Sequence, residues 1–227
     1  MNMKAITVLL AEDHKLVREG FRALLDQEGD LEVVGEAETG RQAVQLATKL
    51  RPAVVVMDIA MPLLNGLEAT RQIRLAVPAT KVLILSAHND DAYQEQAAAW
   101  GAAAFLVKQT SSHILVTAIH EVQKGNTFFG RSPAGEVQPS RRNPADRGLA
   151  ATKSRNRLSA REAEVLQLIA EGKPNKQVAA ELGVSFKTVD KHRQHLMAKL
   201  NIHDIAGLTR YAISAGIIES SVLVTIL

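Results

Sequence analysis

A chain of 227 residues, 46% hydrophobic and 22% charged, has room for one or two globular domains and is too apolar for a wholly disordered protein. Aromatics make up only 4%, which argues against broad stacking platforms for single-stranded nucleic acid, and the absence of cysteine excludes disulfides, thiolate metal centres and cysteine nucleophiles. The formal net charge of +3 joins unlike halves: residues 1–125 hold 12 Lys/Arg and 15 Asp/Glu, residues 126–227 hold 15 and 9, and the basic half is the candidate for a nucleic-acid partner.

The chain starts directly in a strand-like run without a signal-peptide layout, and no apolar run approaches the roughly 18 residues of a spanning helix. Both features predict a cytoplasmic protein with no membrane partner. Residues 6–124 then alternate short apolar runs with helical periodicity. The runs Ile6–Ala11, Leu31–Ala37, Ala53–Met57, Lys81–Ala87 and Ala103–Val107 are nearly continuous in Val, Ile and Leu, as strands buried on both faces of a parallel sheet are. Helical stretches fall near residues 15–26, 40–49, 66–76, 91–100 and 112–124. Five βα units of this kind predict a doubly wound α/β domain with a five-stranded parallel sheet over residues 1–125.

Residues 126–157 gather Gly130, Pro133, Gly135, Pro139, Pro144 and Gly148 among arginines and serines, with 7 basic against 2 acidic residues. That composition predicts a basic linker. Residues 158–220 predict a second, all-α domain of four helices. Ser159-Ala-Arg-Glu162 is a capping box, followed by the apolar stripe Val165, Leu168 and Ile169 and a stop at Gly172. A short helix over 175–182 ends at Gly183. Ser185 caps a third helix reaching Leu200, and Asp204 is placed to cap a fourth. Helix, glycine-containing turn, helix is the helix-turn-helix outline. Residues 221–227 form an apolar tail too short to span a membrane.

Polar residues collect at the predicted strand ends. Glu12 and Asp13 follow the first strand, Asp58 ends the third, Ser86 the fourth and Lys108 the fifth. With strand order 2-1-3-4-5, these ends converge on the carboxyl edge where open α/β sheets bind ligands. Crowded carboxylates repel unless a cation neutralises them, and hard oxygen ligands favour Mg2+. Asp58 is then able to attack phosphorus and form an aspartyl-phosphate, with the Lys108 ammonium and the Ser86 hydroxyl on the transferring oxygens.

With Glu12-Asp13, Asp58-Ile-Ala-Met-Pro62-Leu-Leu-Asn65-Gly66, Ser86-Ala87 and Gly101-Ala-Ala-Ala-Phe105-Leu-Val-Lys108, residues 4–124 resemble a two-component receiver domain. The resemblance implies a flavodoxin-like sheet and an Asp58 that accepts phosphate from a sensor histidine kinase. It implies that Glu12, Asp13, Asp58 and the Ala60 carbonyl surround Mg2+. It also implies that Ser86 and Phe105 form a switch pair, the serine moving to the phosphate as the ring turns inward. Ala60 and His88 occupy positions that modulate dephosphorylation in the family, and Gln109 stands where many receivers have proline. His14 and His88 otherwise read as exposed residues rather than Mg2+ ligands.

In the third helix of the second domain, taking Val189 as zero and roughly 100° per residue, Leu196 and Leu200 share its face while Lys187, Lys191, Gln194, His195 and Ala198 lie opposite. Two lysines, a glutamine and a small alanine suit a major groove, and the helix start near Ser185–Thr188 suits a phosphate. Residues 158–211 resemble the LuxR-type helix-turn-helix through Leu158-Ser-Ala-Arg-Glu162, Asn175-Lys176, Leu182-Gly-Val184-Ser185, Thr188-Val189-Asp-Lys-His192 and Lys199-Leu200. Receiver plus this module is the layout of the NarL/FixJ response regulators. The resemblance implies a transcription regulator that contacts double-stranded DNA through Lys187, Thr188, Asp190, Lys191, Gln194 and His195. Asp190 accepts from cytosine or repels phosphate, and both readings stay open. His192 and Arg193 flank the core and read as packing or hydrogen-bonding residues. The last helix of such modules often dimerises, here through Ile205, Leu208 and Ala212, with packing inside the module as the alternative. The rival to a homodimeric regulator is an aspartyl-phosphate enzyme, which often carries a second aspartate where Ala60 stands.

Overall fold

The computed structural model describes residues 5–87, 91–129, 158–215 and 217–218. The linker expected over 126–157 falls outside them from residue 130 onward, as do His88 and the 221–227 tail. The chain divides into two compact units, Met1–Gly148 and Leu149–Leu227. No helix among the described residues is long and apolar enough to cross a membrane.

The first unit alternates β1 (Ile6–Ala11), α1 (Lys15–Leu25), β2 (Leu31–Ala37), α2 (Gly40–Leu50), β3 (Val54–Asp58), α3 (Gly66–Ala76), β4 (Lys81–Ser86), α4 (Asp91–Ala99), β5 (Ala104–Val107) and α5 (Ser112–Gln123). The strands pair in parallel in the order β2-β1-β3-β4-β5, extended by a short β6 (Phe128–Phe129) beyond β5. Successive strand residues point to opposite faces. Leu9, Met57, Ile84 and Phe105 therefore pack with Ala43, Ala47, Leu67, Ile73 and Ala97 from α2, α3 and α4. Leu10, Val56, Leu83 and Leu106 pack with Leu25, Leu115, Ile119 and Val122 from α1 and α5. Helices on both faces explain why the strands read as unbroken apolar runs.

The sheet has one strand more than the five expected, and it lies in sequence assigned to the linker. After α5 the chain turns at Gly125 (φ +91°), the Asn126 amide donates to the Glu121 carbonyl, and the Phe128 amide donates to the Ala103 carbonyl at 2.9 Å. Burial of Phe128 against the α5 side of the core holds this two-residue strand in place.

The second unit is α6 (Ala160–Ala170), α7 (Asn175–Leu182), α8 (Phe186–Leu200) and α9 (Ile205–Ser214). Each expected cap is present: the Ser159/Glu162 box, Ser185 accepting from the Thr188 amide, and Asp204 accepting from the Gly207 amide at 2.7 Å. Gly183 ends α7 in the left-handed region at φ +62°, where glycine carries no Cβ penalty. Val165, Leu168, Val178, Val189, Leu196, Leu208 and Ala212 form the buried interior. This corrects the expected dimerisation stripe. Leu208 and Ala212 are both 0% exposed inside the module, so neither is available to a second copy. Of the three residues only Ile205, 53% exposed, is free to meet one.

Candidate functional site

The order β2-β1-β3-β4-β5 places a topological switch point between β1 and β3, and the acidic residues lie there. Glu12 and Asp13 follow the end of β1, Asp58 is the last residue of β3, Ser86 the last of β4, and Lys108 follows β5. Glu12, Asp58 and Ser86 are all buried. Lys108 reaches across, its Nζ lying 2.9 Å from both Glu12 Oε2 and Asp58 Oδ2. The Lys108 amide donates to the Ser86 carbonyl at 2.7 Å, which ties the β4 and β5 ends together. Gln109, at the position many receivers give to proline, donates to the Ala87 carbonyl across the same gap.

One lysine does not satisfy this pocket. Glu12 Oε2, Asp13 Oδ1 and both Asp58 oxygens are buried without an aligned hydrogen-bond donor, although Lys108 stands within ion-pair distance of two of them. Burial pushes the Asp58 carboxyl up to about 6, and the neighbouring Glu12 adds to the effect while Lys108 opposes it. Burial works against the charge on Lys108 too, but Asp58 and Glu12 outweigh it and hold the ammonium above its usual range. Oxygen-only and with negative charge in excess over Lys108, this donor set suits a hard divalent cation. Ala60 lies in the half-buried loop after Asp58, where the Met61 amide turns back on the Ile59 carbonyl. His14 is 70% exposed, yet its Nδ1 turns back to within 2.8 Å of Asp13 Oδ1 and 3.3 Å of Glu12 Oε1. Asp13, chiefly, holds its pKa above the usual histidine value.

Phe105 is 1% exposed and packs in the core face shared by Leu9, Met57 and Ile84, so its ring already points inward. Sequence reasoning missed Arg18. It is 5% exposed and donates to the Glu12 carbonyl at 2.6 Å. The available signal is its position seven residues before the buried Leu25, on the inward stripe of α1.

On α8, Lys187, Lys191, Gln194 and His195 are exposed while Thr188 and Asp190 are half-buried. Gln194 Nε2 donates to Asp190 Oδ2 at 2.9 Å, so within this helix Asp190 has a partner one turn away. Thr188 is held at the cap by Ser185, 2.9 Å from hydroxyl to hydroxyl. Arg193 donates to Asn175 Oδ1 at 3.0 Å, the structural role expected of it, and fixes α8 against the start of α7. Lys199 donates to Glu162 Oε2 at 2.8 Å and fastens the end of α8 to α6. Phe186, 57% exposed in the first turn of α8, escaped the sequence reading.

Comparison with known proteins agrees with this division. Residues 8–120 match the response regulator receiver domain. Residues 156–212 match the luxR family of bacterial regulatory proteins. Over 207 residues the chain is 36% identical to the transcriptional regulatory protein LiaR of Bacillus subtilis (strain 168), covering 91% of this chain and 96% of LiaR. The first unit is similar to the signal receiver domain of the putative response regulator NarL from Mycobacterium tuberculosis, at 35% identity and a TM-score of 0.52, covering 54% of this chain and 98% of that one. Most of the chain is similar to RcsB in a structure of two RcsB dimers bound to two parallel DNAs, at 27% identity and a TM-score of 0.54, covering 93% and 99%.

Proposed function

The chain belongs to the response regulators that join a receiver domain to a LuxR-type DNA-binding domain, and from that membership we propose a residue-level account of how it works. It is a DNA-binding transcription regulator of a two-component system. Asp58 is the phosphoacceptor, and a sensor histidine kinase is the donor. One Asp58 oxygen attacks phosphorus, the P–N bond to the kinase histidine breaks, and the new P–O bond leaves an aspartyl-phosphate. Lys108, already 2.9 Å from Asp58, neutralises charge on the arriving phosphoryl oxygens. Ser86, at the end of the adjacent strand, donates its hydroxyl to another, and the Phe105 ring that pairs with it in the switch already lies inward. Glu12, Asp13, Asp58 and the Ala60 carbonyl hold Mg2+, which when bound offsets the negative charge gathered on the acceptor and the phosphoryl group. Hydrolysis of the acyl phosphate by water resets the domain without a second protein.

The observation that carries this reading is the set of four buried carboxylate oxygens without aligned donors beside one lysine at the switch point of the sheet. The test is intact-mass spectrometry after incubation with a small-molecule phosphodonor and Mg2+. One added phosphoryl group is expected, absent from Asp58→Asn and absent when the metal is chelated. A folded, metal-loaded chain that gains no mass overturns the assignment.

The output of the phosphorylated state is a homodimer on double-stranded DNA, with α8 of each copy in a major groove. The working compartment is the cytoplasm, where the DNA is accessible. Lys187, Thr188, Asp190, Lys191, Gln194 and His195 face the DNA, and of the three expected α9 contacts Ile205 is the one exposed to a partner copy. Lys187→Ala together with Lys191→Ala removes two exposed cations. Affinity is expected to fall, and the slope of log affinity against log salt to drop by about 1 for each lysine that meets a phosphate. Fluorescence anisotropy at several salt concentrations measures both, and an unchanged slope places the lysines off the phosphate backbone.

A further inference from the structure

Helix α1 carries an arginine on its inward stripe. A buried guanidinium is costly unless its donors are met, and those of Arg18 are met by particular groups. Nη1 donates to the Glu12 backbone carbonyl at 2.6 Å, Nε to Glu36 Oε2 at 3.0 Å and Nη2 to Glu38 Oε1 at 2.6 Å. Arg22, one turn later, donates to the other oxygen of Glu36 and holds that carboxylate from its far side.

The Glu12 carbonyl belongs to the peptide unit that joins Glu12 to Asp13. Its orientation sets ψ of Glu12 and φ of Asp13, and so the directions in which both carboxylates leave the strand end. The preceding peptide is fixed as well, because the Glu12 amide donates to the Ala37 carbonyl at 3.0 Å. Ala37 is the last residue of β2 and lies between the two glutamates that hold Arg18. The acidic pair is thus fastened on both sides of Glu12 to the end of a strand that contributes no residue of its own to the pocket.

We propose that Arg18 is a positioning residue for the divalent cation: the clamp from Glu36 and Glu38 through the buried Arg18 to the Glu12 carbonyl presets the Glu12 and Asp13 carboxylates, so that the cation binds without first ordering the β1–α1 loop. This rests on the Mg2+ reading of the pocket. A purely structural Arg18 would join α1 to β2, and its loss would lower stability while leaving metal affinity alone. Partners that orient metal ligands typically carry about 10- to 100-fold in affinity.

The experiment is calorimetric titration of Mg2+ into the full chain and its Arg18→Gln, Arg18→Lys and Glu36→Gln/Glu38→Gln variants, each checked for folding by circular dichroism. Arg18→Gln is expected to weaken Mg2+ binding about 10- to 100-fold. Arg18→Lys recovers part of the loss, since an ammonium reaches fewer of the three acceptors. The double glutamine variant keeps the guanidinium on the Glu12 carbonyl but loosens its other end, and loses less. Wild-type Mg2+ affinity in a folded Arg18→Gln chain overturns the proposal. If that variant does not fold, the double variant decides, an unchanged affinity overturning it and a several-fold loss supporting it. A wild-type chain that binds no Mg2+ overturns the pocket reading itself, and this inference with it.

Discussion

With divalent cations chelated, Asp58→Asn will be more stable than the wild-type chain above about pH 6, and the difference will vanish toward pH 4. The cause is the raised Asp58 carboxyl, at about 6 in the folded chain against 3.8 for an unperturbed group. A folded-state pKa above the unfolded one means that the native state binds the proton more tightly. That stability is fully present below pH 3.8 and is lost as the pH rises through about 6. At neutral pH the ionised, buried Asp58 therefore costs the metal-free receiver up to about 3 kcal/mol, from a shift of about two pH units. Asparagine keeps the shape and removes the charge. Its stability loses this pH dependence, and the gap to wild type opens between pH 4 and 7. Comparing the two proteins cancels the titration of the carboxylates outside the pocket. Urea unfolding at pH 4.5, 6 and 8 in chelator measures the gap, and a gap that does not grow with pH refutes the burial of an Asp58 charge as its cause. Adding Mg2+ at pH 8 is expected to close it by stabilising wild type alone, because the cation offsets the charge that asparagine lacks. The acidic pocket is thus a local liability until it is neutralised.

How much of this was legible in the sequence depended on whether a pattern has one structural reading. Runs such as Val54–Met57 and Val82–Leu85 are apolar throughout because both faces of the sheet are covered, and few other settings tolerate that pattern. With the strands placed, Asp58, Ser86 and Lys108 fell at their ends by position alone, and the pocket followed from the sheet order. The Ser159/Glu162 box and the Asp204 cap were legible because capping is a local interaction. Other features depended on distant partners. Leu208 and Ala212 have the same helical spacing whether they meet another helix of the module or a second copy. Only their complete burial decides. Phe128 and Phe129 sit among glycine, asparagine and basic residues, and two residues carry no period, so the last strand read as linker. Arg18 looks like any charge on a surface helix, and its partners Glu36 and Glu38 lie 18 and 20 residues away. Nothing local marks the three as one cluster.

Gly66→Ala is expected to destabilise the receiver by about 3 kcal/mol or more. Gly66 opens α3 behind the Asn65 cap, whose side chain accepts from the Glu68 amide at 2.8 Å. Its amide donates to the Ile59 carbonyl at 2.9 Å, which folds the loop after β3 tightly onto the strand it has just left. A Cβ at Gly66 would lie 1.9 Å from the Asp58 carbonyl oxygen and 2.9 Å from Met57 Cγ. The first neighbour is backbone, so relief requires α3 or Asp58 itself to move. Space rather than dihedral freedom demands glycine at this position, since Gly66 is not among the residues with positive φ. The same loop is pressed from its other side, where a Cβ at Gly40 would lie 1.8 Å from the Leu64 carbonyl oxygen. Gly20 supplies the contrast. It is an exposed glycine inside α1 with nothing within 4 Å of an added Cβ, so Gly20→Ala should stabilise the unit by about 0.5–1 kcal/mol through helix propensity. Urea unfolding of the two variants beside wild type reads opposite signs for the same chemical change. If Gly66→Ala costs no more than an ordinary surface substitution, the approach of α3 to Asp58 is slack and does not fix that carboxylate. If the variant folds with the expected loss, its Asp58 is displaced, and phosphoryl uptake should slow even at temperatures where the receiver remains native.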